Sequence, residues 1–144
     1  MREILFRGKR LDNGEWVTGA PFIAADCCKM ICAVAVHPDF VDEGNVYYSE
    51  GFPVNPGTVG QYTDLQDKNG TRIFEGDICR NTRTGEIVSV KWHGTMAGYV
   101  WSKPRKDNKY LYDFGELFRV YDKYEVIGNI HDNPELLGGE GDGN

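Results

Sequence analysis

Apolar and polar positions alternate at the start of the chain. Ile4 and Phe6 fall on one face, Leu5 and Arg7 on the other, as in a half-buried or edge strand. Asp12-Asn13-Gly14 reads as a hairpin turn, with Glu15–Gly19 as the returning strand. Pro21 lacks a backbone donor, so Phe22–Ala25 is expected as a separate short strand or an edge. A turn near Asp26–Lys29 leads into Met30–Val36, apolar throughout. Its short length and the following Pro38 favour a strand buried on both faces. The segment Pro38–Pro56 then reads as loop-rich, with Asp42-Glu43-Gly44-Asn45, Gly51 and Pro53 as breakers. Its aromatics Phe40, Tyr47, Tyr48 and Phe52 are expected to pack as lids on a sheet.

The densest turn chemistry lies in Gln61–Ile78. In Asp67-Lys68-Asn69-Gly70, an Asp side chain can accept from the backbone two residues on, and Gly70 can take positive φ. Two geometries fit: a type I turn with a glycine bulge, or a type I′ turn centred on Asn69-Gly70. Either joins antiparallel strands at Gly60–Leu65 and Thr71–Phe74. Glu75-Gly76-Asp77 is a second turn. Asn can make the same turn hydrogen bond, so Asp67→Asn is expected to be mild.

The second half has the rhythm of a small barrel. Strands are expected at Asp77–Arg83, at Glu86–His93 with Val88, Val90 and Trp92 on one face, at Tyr99–Trp101 and at Tyr124–Ile130. Thr84-Gly85 reads as a turn, Gly94–Gly98 as a flexible break and Ser102–Asn108 as a polar, basic loop. Tyr110–Tyr121 has apolar residues at both helical and alternating spacing and is assigned a short helix. Asn133-Pro134-Glu135 supplies an N-cap, a proline and an acid for a terminal helical turn through Leu137. The fold class is therefore mostly β: an antiparallel N-terminal sheet packed on an SH3-like small barrel, with short helical turns. Residues 1–137 are expected as one domain with a seam near 38–58, and 138–144 as a flexible tail.

Residues Val59–Thr63, Asp67–Gly70 and Ile73–Ile78 together resemble the YopX-like proteins of phages and prophages. The opening Ile4–Lys9 and the closing Val126–Ile130 and Asn133–Leu137 extend the resemblance over nearly the whole chain. Within it Gln61, Tyr62, Asp67, Asn69, Gly70, Glu75, Gly76, Asp77, Gly128 and Asn129 form the signature. Asp64 stands where the family commonly has Gly after Thr, and Asp tolerates a left-handed conformation. The resemblance implies a phage or prophage origin and no particular activity.

At 144 residues and 26% charged side chains, the chain is an ordinary globular domain. Its formal net charge of −6 disfavours indiscriminate binding to nucleic acid or anionic membrane. MREILFRGKR has no signal-peptide core and no run is long enough to span a bilayer, so a cytoplasmic location in a bacterial host is expected. In that compartment Cys27, Cys28, Cys32 and Cys79 are expected as free thiols. The alternative, zinc held by Cys27 or Cys28 with Cys32 and His37, lacks paired ligand spacing.

No nucleophile motif or phosphate loop is present, and His37, His93 and His131 are far apart. Asp64, Asp67, Glu75 and Asp77 raise the idea of paired acid–base work, but turn formation explains them. No catalytic, cofactor or metal residue is therefore assigned. The expected role is a non-enzymatic interaction module, self-associating through a β edge or its aromatic loop, or binding a phage or host protein. The alternative is nucleic-acid binding by Lys91, Lys103, Arg105, Lys106 and Lys109 interleaved with Trp92, Tyr99, Trp101, Tyr110 and Tyr112.

Overall fold

The computed structural model describes residues 4–23, 31–35, 41–42, 45–46, 50–103, 113–116 and 121–137. The chain divides into two compact units, 1–62 and 63–144. Helical structure among the described residues is confined to 3-10 turns, and the fold is mostly β.

In the first unit β1 (Phe6–Lys9) pairs antiparallel with β2 (Trp16–Ile23), β2 with β3 (Ile31–Ala35), and β3 with β6 (Glu50–Val54). Between them Val41–Asp42 (β4) and Asn45–Val46 (β5) make a two-stranded ladder. The β1–β2 connection is tight, with the Gly14 amide donating to the Arg10 carbonyl and Gly14 at φ 72. On the other side of β1, Phe6 and Arg7 face Gln61 and Gly60 at the start of β7 (Gly60–Gln66).

Strand β6 then returns to the end of β1. Arg10 bridges Val54, the Leu11 amide donates to Pro53 and the Asn55 amide to Lys9. Val54 is fully buried and presses on Gly8, where any Cβ would lie 3.0 Å from its side chain. A larger residue at position 8 would push β1 and β6 apart.

Several boundaries differ from the sequence expectation, and three of the differences have a clear physical reason. Strand β2 is continuous through Pro21, because its partnership with β1 ends at Gly19 and the missing donor lies on an open flank. Glu50–Val54, inside the expected loop, is a strand because β3 offers it a full ladder of partners. Asp113–Glu116, inside the expected helix, is strand β12. Pairing with Gly98–Lys103 settles an apolar pattern that fitted both periods.

In the second unit β8 (Arg72–Phe74) follows the Asp67–Gly70 turn, and the Thr63 hydroxyl donates to the Ile73 carbonyl across the hairpin. A five-stranded antiparallel sheet comes next: β9 (Asp77–Asn81), β10 (Ile87–His93), β11 (Gly98–Lys103), β12 and β13 (Tyr124–Asn129). The last strand lies beside the first, with the other three following in chain order. A 3-10 turn, Tyr121–Lys123, precedes that last strand. This is the arrangement of SH3-like barrels. Ile73, Cys79, Val88, Val90 and Tyr124 form its core, with Leu65, Tyr99, Trp101 and Val126 packed around them. The last described element is a 3-10 turn, Pro134–Leu137, where a helical turn was expected.

Candidate functional site

The Asp67–Gly70 turn resolves to the first of its two geometries. The Gly70 amide donates to the Asp67 carbonyl (3.0 Å) and the Asp67 amide to the Thr71 carbonyl (2.8 Å). Gly70 sits at φ 83 while Asn69 stays out of the left-handed region, which makes a type I turn with a glycine bulge. Asp64, just upstream, is at φ 69, the left-handed conformation that its place in the motif requires.

Asp67 is only 6% exposed, and both of its oxygens are engaged. Oδ1 accepts from the amides of Asn69 (2.8 Å) and Thr71 (2.9 Å). Oδ2 accepts from the Val126 amide (2.9 Å), and the neighbouring Lys68 amide donates to the Tyr124 carbonyl (3.3 Å). Val126 and Tyr124 lie on β13, an edge strand. The turn therefore satisfies backbone groups that an edge would leave open. This corrects the expectation for Asp67→Asn: an amide supplies one acceptor where the site uses two, and its NH2 would face the Val126 N–H.

Asp77, also buried, accepts from the Phe74 amide through Oδ2 (2.7 Å) and closes the Glu75-Gly76 turn. Gly76, at φ 92, donates to the Val90 carbonyl and accepts from the Ile130 amide. Both carboxylates act on Cys79, a buried free thiol. Burial, with Asp77 and Asp67 nearby, pushes it up to about 12, so it stays protonated and unreactive at neutral pH.

At the end of β13, Asn129 accepts from the amides of His131 and Asp132 and donates to the Asp132 carboxylate. Its own amide donates to the Asn133 side chain (3.3 Å). Asn133 thus reaches back over Gly128, where a Cβ would meet it at 2.5 Å, instead of capping the turn that follows. Gln61 and Tyr62 belong to the first unit, where the Tyr62 amide donates to the Leu5 carbonyl.

Of the basic candidates, Arg105, Lys106 and Lys109, like Tyr110 and Tyr112, lie outside the described residues, as do the side chains of Cys27, Cys28, Cys32 and His37. Lys91 and Lys103 fall on opposite faces of the sheet, because Lys91 pairs with Val100 whereas Lys103 is in phase with Trp101 and Tyr99. The Lys103 ammonium is held by Glu86 at 2.7 Å, and the other Glu86 oxygen accepts from the Tyr124 hydroxyl. The Lys103 hydrogen bond lowers the Glu86 carboxyl below its ordinary range, whereas burial raises the Tyr124 phenol. Trp101 leans on Tyr124 with ring centroids 5.3 Å apart. No group of three His, Cys, Asp or Glu side chains placed to hold a metal occurs among the described residues. Nor is any described helix long and apolar enough to cross a membrane.

Sequence reasoning missed the tip of the β10–β11 hairpin and read 94–98 as a flexible break. Trp92 and Tyr99 face one another across the strands, their rings in a T-shaped contact at 5.1 Å. Trp92 is 50% exposed and Met96 52% exposed. The turn between them is built, with the Met96 amide donating to His93 Nδ1 (3.1 Å) and Ala97 at φ 51. The missed signal was Trp92 itself, in phase with Val88 and Val90 but one step past the core.

No curated protein matches this sequence. Among solved structures the chain is similar to the crystal structure of protein EF1440 from Enterococcus faecalis, with a TM-score of 0.56 and 24% identity, over 95% of this chain and 99% of that one. That likeness concerns the fold alone. The family profile described as YopX protein matches residues 5–138, nearly the full length, and the chain belongs to the YopX family.

Proposed function

We propose that this chain is a non-enzymatic accessory protein of a phage or prophage, and that it works as a protein-interaction module presenting the β10–β11 hairpin tip. The observation that carries this reading is the paired exposure of Trp92 and Met96 on a structured turn. Fully burying a large apolar side chain contributes about 1.5–3 kcal/mol, so two half-exposed ones on a single tip hold part of that in reserve as binding energy. Tryptophan and tyrosine are also the side chains that most often dominate protein interfaces. A non-catalytic role is supported by the central carboxylates, since Asp67 and Asp77 are buried and accept backbone amides. The YopX resemblance supports the phage origin.

The test is capture of proteins from a nuclease-treated bacterial host lysate by the tagged chain and by Trp92→Lys, alongside light scattering of the pure protein. The reading expects a protein contact, foreign or self, that Trp92→Lys loses while remaining folded at the assay temperature. It fails if wild type neither captures a protein nor self-associates, or if Trp92→Lys binds as well as wild type.

A further inference from the structure

We infer that Asn69, in the Asp67–Gly70 turn, is a site of slow self-modification, and that its conversion to isoaspartate releases the turn from β13. The chain has two Asn-Gly pairs, Asn13-Gly14 and Asn69-Gly70. In such a pair the glycine nitrogen can attack the asparagine Cγ, because no side chain on the glycine stands in the way. The N–Cγ bond forms, the Cγ–Nδ2 bond breaks, and ammonia leaves with the proton given up by the glycine nitrogen. Water then opens the five-membered imide at either carbonyl, giving aspartate or isoaspartate. One water enters and one ammonia leaves, with no oxidant or enzyme.

The surroundings rank the two pairs. Both glycine amides are engaged, Gly70 on the Asp67 carbonyl and Gly14 on the Arg10 carbonyl, each at 3.0 Å. Reaction therefore waits on local opening, which exposed turns undergo far more readily than a core. Asn69 is exposed, and its side chain makes no hydrogen bond to a described residue. Asn13 is tied down. Its Oδ1 accepts from the Glu15 amide (2.9 Å), and its Nδ2 donates to the Glu15 carboxylate (3.3 Å). That carboxylate also opposes a step that passes through an amide anion and an oxyanion, since like charges at short range repel. Around Asn69 the chain neighbours Lys68 and Arg72 are cationic, and the Asp67 carboxylate already shares its charge among three amides.

Conversion acts on the clamp that the turn supplies. An isoaspartyl link carries the backbone through the former side chain and adds one methylene between residues 69 and 70. The Asn69 and Thr71 amides then no longer converge on one oxygen of Asp67, and the hold of the other oxygen on the Val126 amide is lost with that geometry. The freed α-carboxylate also places a new negative charge beside the buried Asp67. The result is a one-way release of an edge strand.

Peptide mapping by mass spectrometry, with isoaspartyl methyltransferase as the probe for the isomer, tests this on the intact chain aged at neutral pH. Isoaspartate should accumulate at residue 69 ahead of residue 13, and unfolding in urea should narrow that gap by freeing both turns. The isoaspartyl fraction, separated by ion exchange, should exchange its Val126 amide faster than fresh protein does, whereas Asn69→Ser aged alike should keep that amide protected. The inference falls if no isoaspartate forms at residue 69, if residue 13 converts as fast in the folded chain, or if the gap persists in urea. It falls equally if the modified fraction keeps Val126 as protected as fresh protein, or if aged Asn69→Ser loses that protection to the same extent.

Discussion

Replacing Asp67 by Asn changes one oxygen to an amide in a buried, fully used acceptor pair. With the new carbonyl at the Oδ1 position, the Asn69 and Thr71 amides keep their acceptor, and the NH2 is aimed at the Val126 N–H. With the amide flipped, Val126 is satisfied and both turn donors are lost. Asn69 and Thr71 are exposed and can turn to water, whereas the bond to Val126 reaches a strand 59 residues away in the chain. A hydrogen bond to a charged group contributes about 1.5–3 kcal/mol, and an unsatisfied buried donor costs about 1–3 kcal/mol. These overlap, so Asp67→Asn should lower stability by about 2–4 kcal/mol. Urea unfolding measures that loss. Hydrogen exchange should locate it, with the Val126 amide exchanging faster than in wild type at equal margins of global stability. A loss below about 0.5 kcal/mol, the range of ordinary surface substitutions, would refute the reasoning.

Gly70→Val meets no neighbour within 4 Å, so its cost should come from the backbone alone, about 1–3 kcal/mol at φ 83. Gly128→Ala meets the Asn133 side chain at 2.5 Å and should cost more than about 1 kcal/mol by breaking the bond from the Asn129 amide. Asn133→Gly in the same chain should recover part of the steric loss, as melting of the double variant will show. For pH, Cys79 is raised from 9.0 to about 12, so its thiol favours the fold fully below 9.0 and the benefit disappears as pH rises toward 12. Cys79→Ala should therefore flatten the alkaline decline in melting temperature between those limits, even though the variant is less stable at neutral pH.

Local chemistry carried most of what was legible. The Asp67–Gly70 turn, the Asp12–Gly14 hairpin and the terminal proline turn each depend on neighbouring residues and could be read from them. The SH3-like class was suggested by strand rhythm, whereas the order of its five strands was not legible. What could not be read was long-range. Nothing near Asp67 announces that its second oxygen serves Val126, and nothing within Asn133-Pro134-Glu135 says that Asn133 turns back to Asn129. Likewise Glu50–Val54 and Asp113–Glu116 are strands because β3 and β11 offer edges, a property of the partner and not of the segment. The hairpin tip was hidden by a different limit. Alternation assigns Trp92 to the face of Val88 and Val90, but says nothing of how far along the strand the core extends.

The account separates a stretch that builds the fold from a tip that binds. Partner or self association, measured well below every melting temperature on wild type, Asp67→Asn and Trp92→Lys, tests that separation most directly. Asp67→Asn should associate like wild type although it unfolds earlier, and Trp92→Lys, still folded at the assay temperature, should fail to associate. If Asp67→Asn, still folded, loses association while Trp92→Lys keeps it, the binding surface lies at the central turn and the account is wrong.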